Sequence, residues 1–283
     1  MIQVQGTSRV YGIIGSPVAH SLSPRMQNAA LAACGIGAVY VPFPVDPRLL
    51  GEAVAGLRAL GVSGFNVTIP HKCSVMPFLD RIDSSARLAG AVNTVVRDEA
   101  GYTGYNTDGE GLVRSLSVDL GWSVADKQVV VYGAGGAVRG AVAALAHHGA
   151  SRISLYNRTP DRVGEIVSSL SAAYPQVVFE PLSDLERVNA RLVETDLLLH
   201  GTSLGMHGEE LPGIDLALLA STAVVYDMVY APHETPLINA AGTRGLVCQD
   251  GLGMLVGQGE LAFARWHGVL PPAGCMRAAL STR

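Results

Sequence analysis

Two segments of the sequence carry side chains of the kind that can transfer a proton to or from a small substrate. Lys72 follows the run Gly64 to Ile69, and Asp108 closes the polar run Tyr105-Asn106-Thr107. Lys and Asp both serve as general acids or bases in enzymes. The alternative is structural, because a single lysine after a strand is usually exposed, and Asn, Thr and Asp beside glycine are ordinary turn residues.

Further polar residues are placed where they could hold a polar substrate. Ser21 and Ser23 are one residue apart, so in an extended segment both hydroxyls would lie on one side and could bind a carboxylate. They could equally cap the helix that follows. Asn66 and Thr68 share one face of a predicted strand, and Asn93 belongs to a third polar segment. Ligands of open α/β sheets bind at the carboxyl ends of the strands, where Lys72 is expected.

A glycine-rich segment in the middle of the chain is typical of a dinucleotide site. The apolar run from Val129 to Tyr132 leads into Gly133-Ala134-Gly135-Gly136-Ala137 and then into a predicted helix. Glycines allow a tight turn and a close approach of the pyrophosphate, and the helix N-terminus offers N–H groups to it. Val138 departs from the fingerprint, which usually has Gly or Ala at the sixth position.

The end of the next predicted strand indicates which dinucleotide binds. NAD-binding folds place Asp or Glu about 20 residues after the glycines, to bind the ribose 2′-hydroxyl. This chain has Asn157-Arg158-Thr159 there, followed by Arg162. Guanidinium groups bind a 2′-phosphate through charge-assisted hydrogen bonds, so NADP is the expected cofactor. The alternative is that these arginines only form the solvated start of a helix.

Alternating strands and helices are predicted to position these residues. Apolar runs at Val10–Ile14, Val39–Phe43, Phe65–Ile69, Gln128–Tyr132, Ile153–Tyr156, Leu197–Leu199 and Val224–Met228 predict strands, and helices are predicted after Pro24, over Leu49–Leu60 and over Val138–His147. Crossovers of this length favour parallel pairing. The fold class is therefore α/β, with two units and a cleft expected between them.

Composition excludes several classes of protein. Of the 283 residues, 48% are hydrophobic and 16% charged, which is typical of a globular enzyme. The net charge of −4, without a basic tract, gives little support for nucleic-acid binding. No apolar run is long enough to span a membrane. The four cysteines lack the paired spacing of a metal site, so we predict no metal and a cytoplasmic enzyme with reduced thiols.

Nine motifs in order carry a resemblance to a known family. The chain contains HSLSP, GFNVTIPHK, GAVNT, GYNTDGEG, GAGGAVR, NRTPDR, GTSLGM, DMVYAPHETPL and GLGMLVGQGELAF. This series resembles the shikimate dehydrogenase family from about Gly12 to Gly268. The resemblance implies NADP-dependent, reversible reduction of 3-dehydroshikimate to shikimate, a step of aromatic amino-acid biosynthesis.

The resemblance also implies a role for individual residues. Lys72 and Asp108 are similar to the family's acid–base pair. The substrate is expected to contact Ser21, Ser23, Asn66, Thr68, Asn93, Tyr230 and Gln258. The cofactor is expected to contact Gly133, Ala134, Gly135, Gly136, Ala137, Asn157, Arg158, Thr159, Arg162, Thr202, Ser203, Met228 and Gly251. Two three-layer α/β domains around a cleft are implied, with residues 1–105 plus 252–283 binding substrate and residues 106–251 forming a Rossmann-like NADP domain.

The chain departs from the family pattern at a few positions. Gln27 stands where the family usually has His, His200-Gly201 where it usually has Asn-Ala, and Glu260 where it usually has Ala. Most of these changes are interpreted as packing, whereas His200, on the nicotinamide side, is expected to affect cofactor geometry. The sequence leaves open whether Lys72 transfers the proton or polarises the oxygen.

Three other functions are alternatives to this one. An NAD-dependent quinate/shikimate dehydrogenase should carry an acidic residue at the Asn157 position and often Thr for one of the paired serines. A dehydrogenase of the methylenetetrahydrofolate type should lack the Ser-x-Ser and Asn-Thr-Asp clusters. A non-catalytic NADP sensor should have lost Lys72 or Asp108. The expected partners are the small substrate and no nucleic acid or membrane, and a homodimer is left open.

Overall fold

A computed structural model describes residues 4–231 and 233–281 and divides the chain into two compact units. The first contains Met1–Gly111 and Val256–Arg283, and the second contains Leu112–Leu255. The sequence prediction put the boundaries after residues 105 and 251 instead. The difference matters because it places Asp108 in the same unit as Lys72.

The first unit is built on a six-stranded mixed sheet in the order β2-β1-β3-β5-β6-β4. Strands β1 to β3 pair in parallel, whereas β5 pairs antiparallel with both β3 and β6. The strands are β1 (Arg9–Gly15), β2 (Ala38–Pro44), β3 (Gly64–Val67), β4 (Arg81–Ile82), β5 (Thr94–Asp98) and β6 (Gly101–Tyr105). The helices are α1 (Ser23–Ala33), α2 (Leu50–Ala59), α3 (His71–Ser74), α4 (Ser84–Ala89) and α11 (Cys275–Ser281).

Two helices, α5 (Asp108–Leu120) and α10 (Leu252–His267), each belong partly to both units along the chain. One hydrophobic core of the first unit forms around the buried side chains of Ile14, Leu50, Phe65, Val95 and Tyr102. The Phe65 and Tyr102 rings meet edge to face with centroids 5.2 Å apart, an arrangement that aromatic pairs favour. This packing fixes β3, the strand that precedes Lys72.

The second unit contains a six-stranded parallel sheet in the order β12-β11-β10-β7-β8-β9. Its strands are β7 (Gln128–Tyr132), β8 (Arg152–Tyr156), β9 (Val178–Leu182), β10 (Leu197–His200), β11 (Val224–Asp227) and β12 (Val247–Gln249). Its helices are α6 (Gly136–His147), α7 (Pro160–Ala173), α8 (Leu185–Leu192) and α9 (Pro236–Thr243). The strand order reverses between β7 and β10, and this switch point is where doubly wound sheets bind ligands.

The predicted strands and helices are confirmed, with ends that differ by one or two residues. The strand predicted to run to Ile69 ends at Val67, so Thr68 lies beyond it rather than on its face. The predicted extended conformation of Ser-x-Ser was also wrong, because Leu22, the N-cap of α1, has helical φ and ψ angles of −81° and −13°. Among the described residues, no helix is long and apolar enough to cross a membrane.

Candidate active site

Lys72 and Asp108 form an ion pair at one end of the first sheet. Lys72 lies on the short helix α3, after β3, and Asp108 is the first residue of α5. The Lys72 Nζ and Asp108 Oδ2 atoms are 2.6 Å apart, and the two side chains are 22% and 8% exposed. A carboxylate this close orients the ammonium group, and partial burial keeps bulk water from screening the pair. The structure therefore brings together the two predicted acid–base residues.

Asn93 holds Asp108 in place from the other side. Its Nδ2 donates to Asp108 Oδ1 at 2.8 Å, while its Oδ1 accepts the Thr107 backbone N–H at 2.8 Å. The Gln258 Oε1 atom lies 3.4 Å from the same Nδ2. Asn93 is buried, so its amide groups are used by protein partners. Asn93 thus holds the Asp108 carboxylate in place. Direct contact of Asn93 with the substrate stays a prediction.

Gln258 reaches this network because two glycines let α5 and α10 come close together. A Cβ atom at Gly111 would lie 2.6 Å from the Gln258 backbone nitrogen, and one at Gly257 would lie 2.7 Å from the Gly111 carbonyl oxygen. Both distances are too short for any side chain. The Thr107 hydroxyl donates to the Gln258 carbonyl at 3.2 Å and joins the two helices. Gly111 belongs to the sequence GEG and Gly257 to GQG. These glycines were part of the predicted motifs, but their role in helix packing was not predicted.

Asn66 links β3 to a buried tyrosine and to Asn93. It accepts the Tyr40 hydroxyl at 2.7 Å and donates to the Asn93 carbonyl at 2.9 Å. Burial raises the pKa of Tyr40 well above its usual range, and a hydrogen bond with Ser23 opposes that rise. Tyr40 therefore stays a neutral donor. The sequence prediction missed Tyr40, although the polar end of a buried tyrosine usually requires a partner.

The two serines lie where α1 begins. Ser21 Oγ accepts the Ser23 backbone N–H at 3.3 Å, which is a helix-start contact, and Ser23 is 6% exposed. Ser21 is not the N-cap, because Leu22 holds that position and α1 has no side-chain cap hydrogen bond. Its hydroxyl, which accepts one N–H, can still donate its own proton. Thr68 is half-buried, and its Cγ2 would lie 2.5 Å from a Cβ atom at Gly15. Tyr230 belongs to the second unit and is 38% exposed.

The glycine turn of the second unit has the geometry that a dinucleotide requires. Gly133 has φ +130°, which favours glycine, and a Cβ atom there would lie 2.9 Å from the Gly201 carbonyl. Gly135 precedes α6 and Gly136 begins it, and a Cβ atom on either would meet nothing within 4 Å. The first turn of this 12-residue helix is therefore open, with N–H groups free to bind phosphate. Ala134 and Ala137 complete the same turn.

The predicted ribose-binding residues lie between β8 and α7. Arg158, Thr159 and Arg162 are exposed, and the Asn157 Nδ2 donates to the Thr159 carbonyl at 3.0 Å. Burial raises the pKa of Tyr132, at the end of β7, and the Arg158 charge opposes that rise. The Arg158 charge thus acts on the Tyr132 hydroxyl at the end of β7. The arrangement suits an anionic 2′-phosphate and provides no carboxylate for a 2′-hydroxyl.

The remaining predicted cofactor residues converge beyond β10 and β11. A Cβ atom at Gly133 would lie 3.3 Å from Thr202 Cγ2, and one at Gly201 would lie 3.0 Å from the Met228 sulfur. Gly251 packs so closely on the Met228 carbonyl that only glycine fits. Ser203 is exposed in the same loop. The structure thus brings the glycine turn, Thr202, Met228 and Gly251 to one edge of the second sheet.

Comparisons with known proteins agree with this geometry. Residues 13–95 match a family described as the shikimate dehydrogenase substrate binding domain, residues 116–205 match shikimate / quinate 5-dehydrogenase, and residues 251–280 match the shikimate 5'-dehydrogenase C-terminal domain. A protein of Geobacter metallireducens named shikimate dehydrogenase (NADP(+)) is 52% identical over 98% of this chain and 97% of its own length.

Solved structures are similar over the whole chain. Shikimate 5-dehydrogenase from Listeria monocytogenes, in complex with shikimate and NAD, has a TM-score of 0.93 at 32% identity and covers 99% of both chains. The Thermus thermophilus enzyme, in complex with NADP(H) and shikimate, has a TM-score of 0.85 at 32% identity, covering 96% of this chain and 98% of its own. With the matched residues spread over both units, this chain belongs to the shikimate dehydrogenase family.

Proposed function

We propose that this protein reduces 3-dehydroshikimate to shikimate reversibly with NADP, and that Lys72 and Asp108 are its catalytic residues. The observation that carries the assignment of these residues is the 2.6 Å ion pair between them. Substrate and cofactor are inferred from relatives such as the Geobacter metallireducens protein, whose name gives both shikimate and NADP(+). NADP supplies or accepts the hydride, and the protein must handle the proton on the reacting oxygen.

Lys72 is suited to that task because its ammonium group keeps donors to spare. An ammonium has three N–H bonds, and the Asp108 carboxylate accepts one of them. The two others can donate to the carbonyl oxygen of the substrate, polarising it and then delivering a proton. In the reverse direction the same nitrogen takes up the hydroxyl proton. Asp108, held by Asn93, orients the lysine side chain throughout.

The substrate carboxylate is assigned to the serines at the start of α1. The Ser21 hydroxyl proton is free to donate, and Ser23 is the first residue of α1. Thr68 and Gln258 are proposed to contact the ring hydroxyls, since Thr68 shortly precedes Lys72 in the chain and Gln258 reaches Asn93, the residue that holds Asp108. Tyr230 is proposed as a further substrate contact. The phosphates are assigned to the open first turn of α6, and the 2′-phosphate to Arg158 and Arg162.

The decisive experiment is an assay of reduced-cofactor formation with shikimate, quinate and an aminoshikimate, each with NADP and with NAD. We expect shikimate with NADP to give the highest kcat/KM. A higher value for quinate with NAD would replace the proposed function by that of a quinate dehydrogenase. No turnover with any pair, in a protein that still binds NADP, would favour a non-catalytic sensor.

We further propose that the enzyme works in the cytoplasm, since its four cysteines are all unpaired. A homodimer stays a prediction, which light scattering of the purified protein can test.

A further inference from the structure

A buried histidine immediately precedes Lys72 in the chain. His71 is the first residue of α3, is 0% exposed and has no role in the proposed mechanism. Its Nε2 atom lies 2.8 Å from the carbonyl oxygen of Val45, the residue after β2. A carbonyl oxygen can only accept a hydrogen bond, so Nε2 carries a proton and donates it. The direction of this bond is therefore the same for a neutral and for a protonated ring.

The other ring nitrogen of His71 contributes no hydrogen bond to the fold. Nδ1 is buried and has no hydrogen-bond partner among the residues that the structure describes. A buried polar atom without a partner destabilises a protein, and an apolar side chain of similar size would avoid that cost. The presence of histidine here is therefore explained by the bond that Nε2 donates rather than by packing.

Helix α3, which carries Lys72, is too short to hold its own position. It has four residues, and a single helical turn is unstable in isolation. Two hydrogen bonds tie it to neighbouring segments. His71 Nε2 donates to the Val45 carbonyl, and the Val92 backbone N–H donates to the Lys72 carbonyl at 2.7 Å. Val45 is itself tied to the end of β1, because its N–H donates to the Gly15 carbonyl at 3.0 Å.

The segment before α3 has an anchor that does not involve the imidazole. The Thr68 backbone N–H donates to the Ile14 carbonyl of β1 at 3.0 Å. Loss of the side-chain bond of His71 should therefore displace Lys72 more than Thr68. For the proposed reaction this displacement should lower kcat and change the KM for shikimate little.

We infer that His71 is a positioning residue, which holds Lys72 where it meets Asp108 and the reacting oxygen of the substrate. The inference rests on the proposed function, in which Lys72 handles the proton on that oxygen. The imidazole is fully buried, whereas the Lys72 side chain is 22% exposed. His71 thus acts on the lysine through the backbone of α3 and not by contact with the substrate.

Two substitutions of similar size separate the hydrogen bond from packing. His71→Gln keeps an N–H donor near the position of Nε2, whereas His71→Met fills a similar space without a donor. His71→Met should lower kcat with shikimate roughly 10- to 100-fold, the size expected when a reacting group is misplaced by about 1 Å. His71→Gln should retain most of the activity. Equal losses in the two variants, or a normal kcat in His71→Met, would overturn the inference.

A stability control and a shorter side chain accompany this pair of variants. Val54→Ala removes two buried methyl groups from α2 in the same core, and it should lower the melting temperature without lowering kcat. A loss of kcat in Val54→Ala as large as that in His71→Met would assign the effect to stability and overturn the inference. His71→Asn, which is too short to reach the Val45 carbonyl, replaces His71→Met if that variant does not fold.

A double variant tests whether His71 acts through Lys72. In the Lys72→Ala background, assayed at high enzyme concentration, His71→Met should lower the remaining rate little, because the side chain that it positions is gone. Equal fold-losses in the two backgrounds would show that His71 affects the site by another route and would overturn the inference.

A measurement without turnover separates this inference from the proposed function. Lys72 and Lys127 are the only lysines of the chain, so lysine labelled with carbon-13 at Cε gives two side-chain signals. The Lys72 signal, identified by its loss in Lys72→Ala, should shift in His71→Met and keep its place in His71→Gln, while the Lys127 signal stays in both. An unshifted Lys72 signal in His71→Met would overturn the inference. A shifted signal, in a protein that fails to reduce NADP with shikimate, would support the placement of Lys72 by His71 and refute the proposed function.

Discussion

The two units build their functional sites from different kinds of groups. In the first unit the proposed chemistry depends on buried side chains that bond one another, since Asn66, Asn93 and Asp108 are each at most 5% exposed. In the second unit most of the predicted cofactor contacts are backbone groups of a glycine turn and exposed arginines. When one residue of a buried hydrogen-bond network is removed, no other group can replace its hydrogen bonds. In an exposed anion site, several groups share the binding of the phosphate. Single substitutions should therefore affect turnover in the first unit and affinity in the second.

The largest effect is expected from Lys72→Ala. Loss of a positioned acid–base group should lower kcat by roughly 10²- to 10⁴-fold with little change in KM for shikimate. Asp108→Asn should be similarly damaging, and the double variant should lose less than the product of the two because the residues act as a unit. Steady-state kinetics with both substrates measures these effects.

The chain provides a matched control, since Lys127 is its only other lysine. Lys127 also pairs with an aspartate, Asp196, at 3.3 Å, but both side chains are more than a third exposed. Lys127→Ala should leave kcat unchanged, as exposed ion pairs contribute little. A correctly folded Lys72→Ala protein with normal turnover would remove Lys72 from the mechanism.

The next effect concerns Arg158 and Arg162 in the second unit. Two charge-assisted bonds to a 2′-phosphate, reduced by solvent screening, should favour NADP over NAD by about 2–4 kcal/mol. That corresponds to a preference of roughly 30- to 1000-fold in kcat/KM. Replacing both arginines by alanine should remove most of it by weakening NADP, without greatly improving NAD.

The dependence on salt and a control variant at another arginine test whether the cofactor preference is electrostatic. The preference should decrease as ionic strength rises, because both arginines are exposed. Arg187→Ala, which removes an exposed arginine of α8, should leave the preference unchanged. Equal kcat/KM values for NAD and NADP in the unmodified enzyme would contradict the electrostatic argument and favour the quinate alternative.

Ser21 and Ser23 test whether the first unit also contributes affinity. Each hydroxyl bonded to a carboxylate should contribute about 1.5–3 kcal/mol, and the loss should appear in KM for shikimate because the carboxylate keeps its charge during the reaction. The double alanine variant should keep its KM for NADP. An unchanged KM for shikimate, together with a lower melting temperature, would leave these serines with only their role at the start of α1.

The sequence predicted the repeating strands and helices and the residues at their ends, because apolar periodicity and glycine turns are local signals. It could not predict contacts between distant segments. Tyr40 reaches Asn66, and Gly111 meets Gly257, through pairings that no local pattern encodes. The Ser-x-Ser geometry was wrong because Leu22 is already helical and α1 begins at Ser23, before the helix start predicted after Pro24.

Two departures from usual sequence patterns explain each other, one from the dinucleotide fingerprint and one from the family motif. Val138 occupies a fingerprint position usually held by Gly or Ala, and Gly201 stands where the family usually has Ala. A Cβ atom at Gly201 would overlap the Val138 Cγ2 atom. The larger residue at one position is thus matched by the smaller one at the other, which neither segment reveals by itself.

Substitutions at this pair should show a coupling in stability. Gly201→Ala should destabilise the protein by about 1–3 kcal/mol, the usual cost of overpacking, and Val138→Ala should cost a similar amount through the space it leaves. The double variant has the residues that are usual at each position, so its loss should be smaller than the sum by about 1–2 kcal/mol. Chemical denaturation of the four proteins measures the coupling, and strictly additive losses would show that the two positions do not compensate.

The smallest effect should come from acid, and it arises in the first unit. Burial, with a contribution from Arg9, lowers the pKa of His267 from 6.5 to about 4. Its ring packs against Phe263 and Tyr11, with centroids 4.4 Å and 4.9 Å away. The unfolded chain therefore binds a proton below about pH 6.5 that the folded protein binds only near pH 4, so stability falls as pH falls through that window. Because the ring is partly exposed, we expect a loss of about 1 kcal/mol between pH 7 and 5.

His267→Phe should remove this part of the acid sensitivity, since phenylalanine suits the aromatic neighbours and cannot be protonated. The chain has two tryptophans, one in each unit, so Trp122→Phe leaves Trp266 as a fluorescent probe adjacent to His267. Urea unfolding followed by Trp266 emission at pH 7 and 5 measures the loss with and without His267→Phe. An equal loss in both backgrounds would assign the acid sensitivity to other groups. A smaller loss in His267→Phe would show that the first unit, which keeps a neutral, partly buried histidine, responds to acid through that residue.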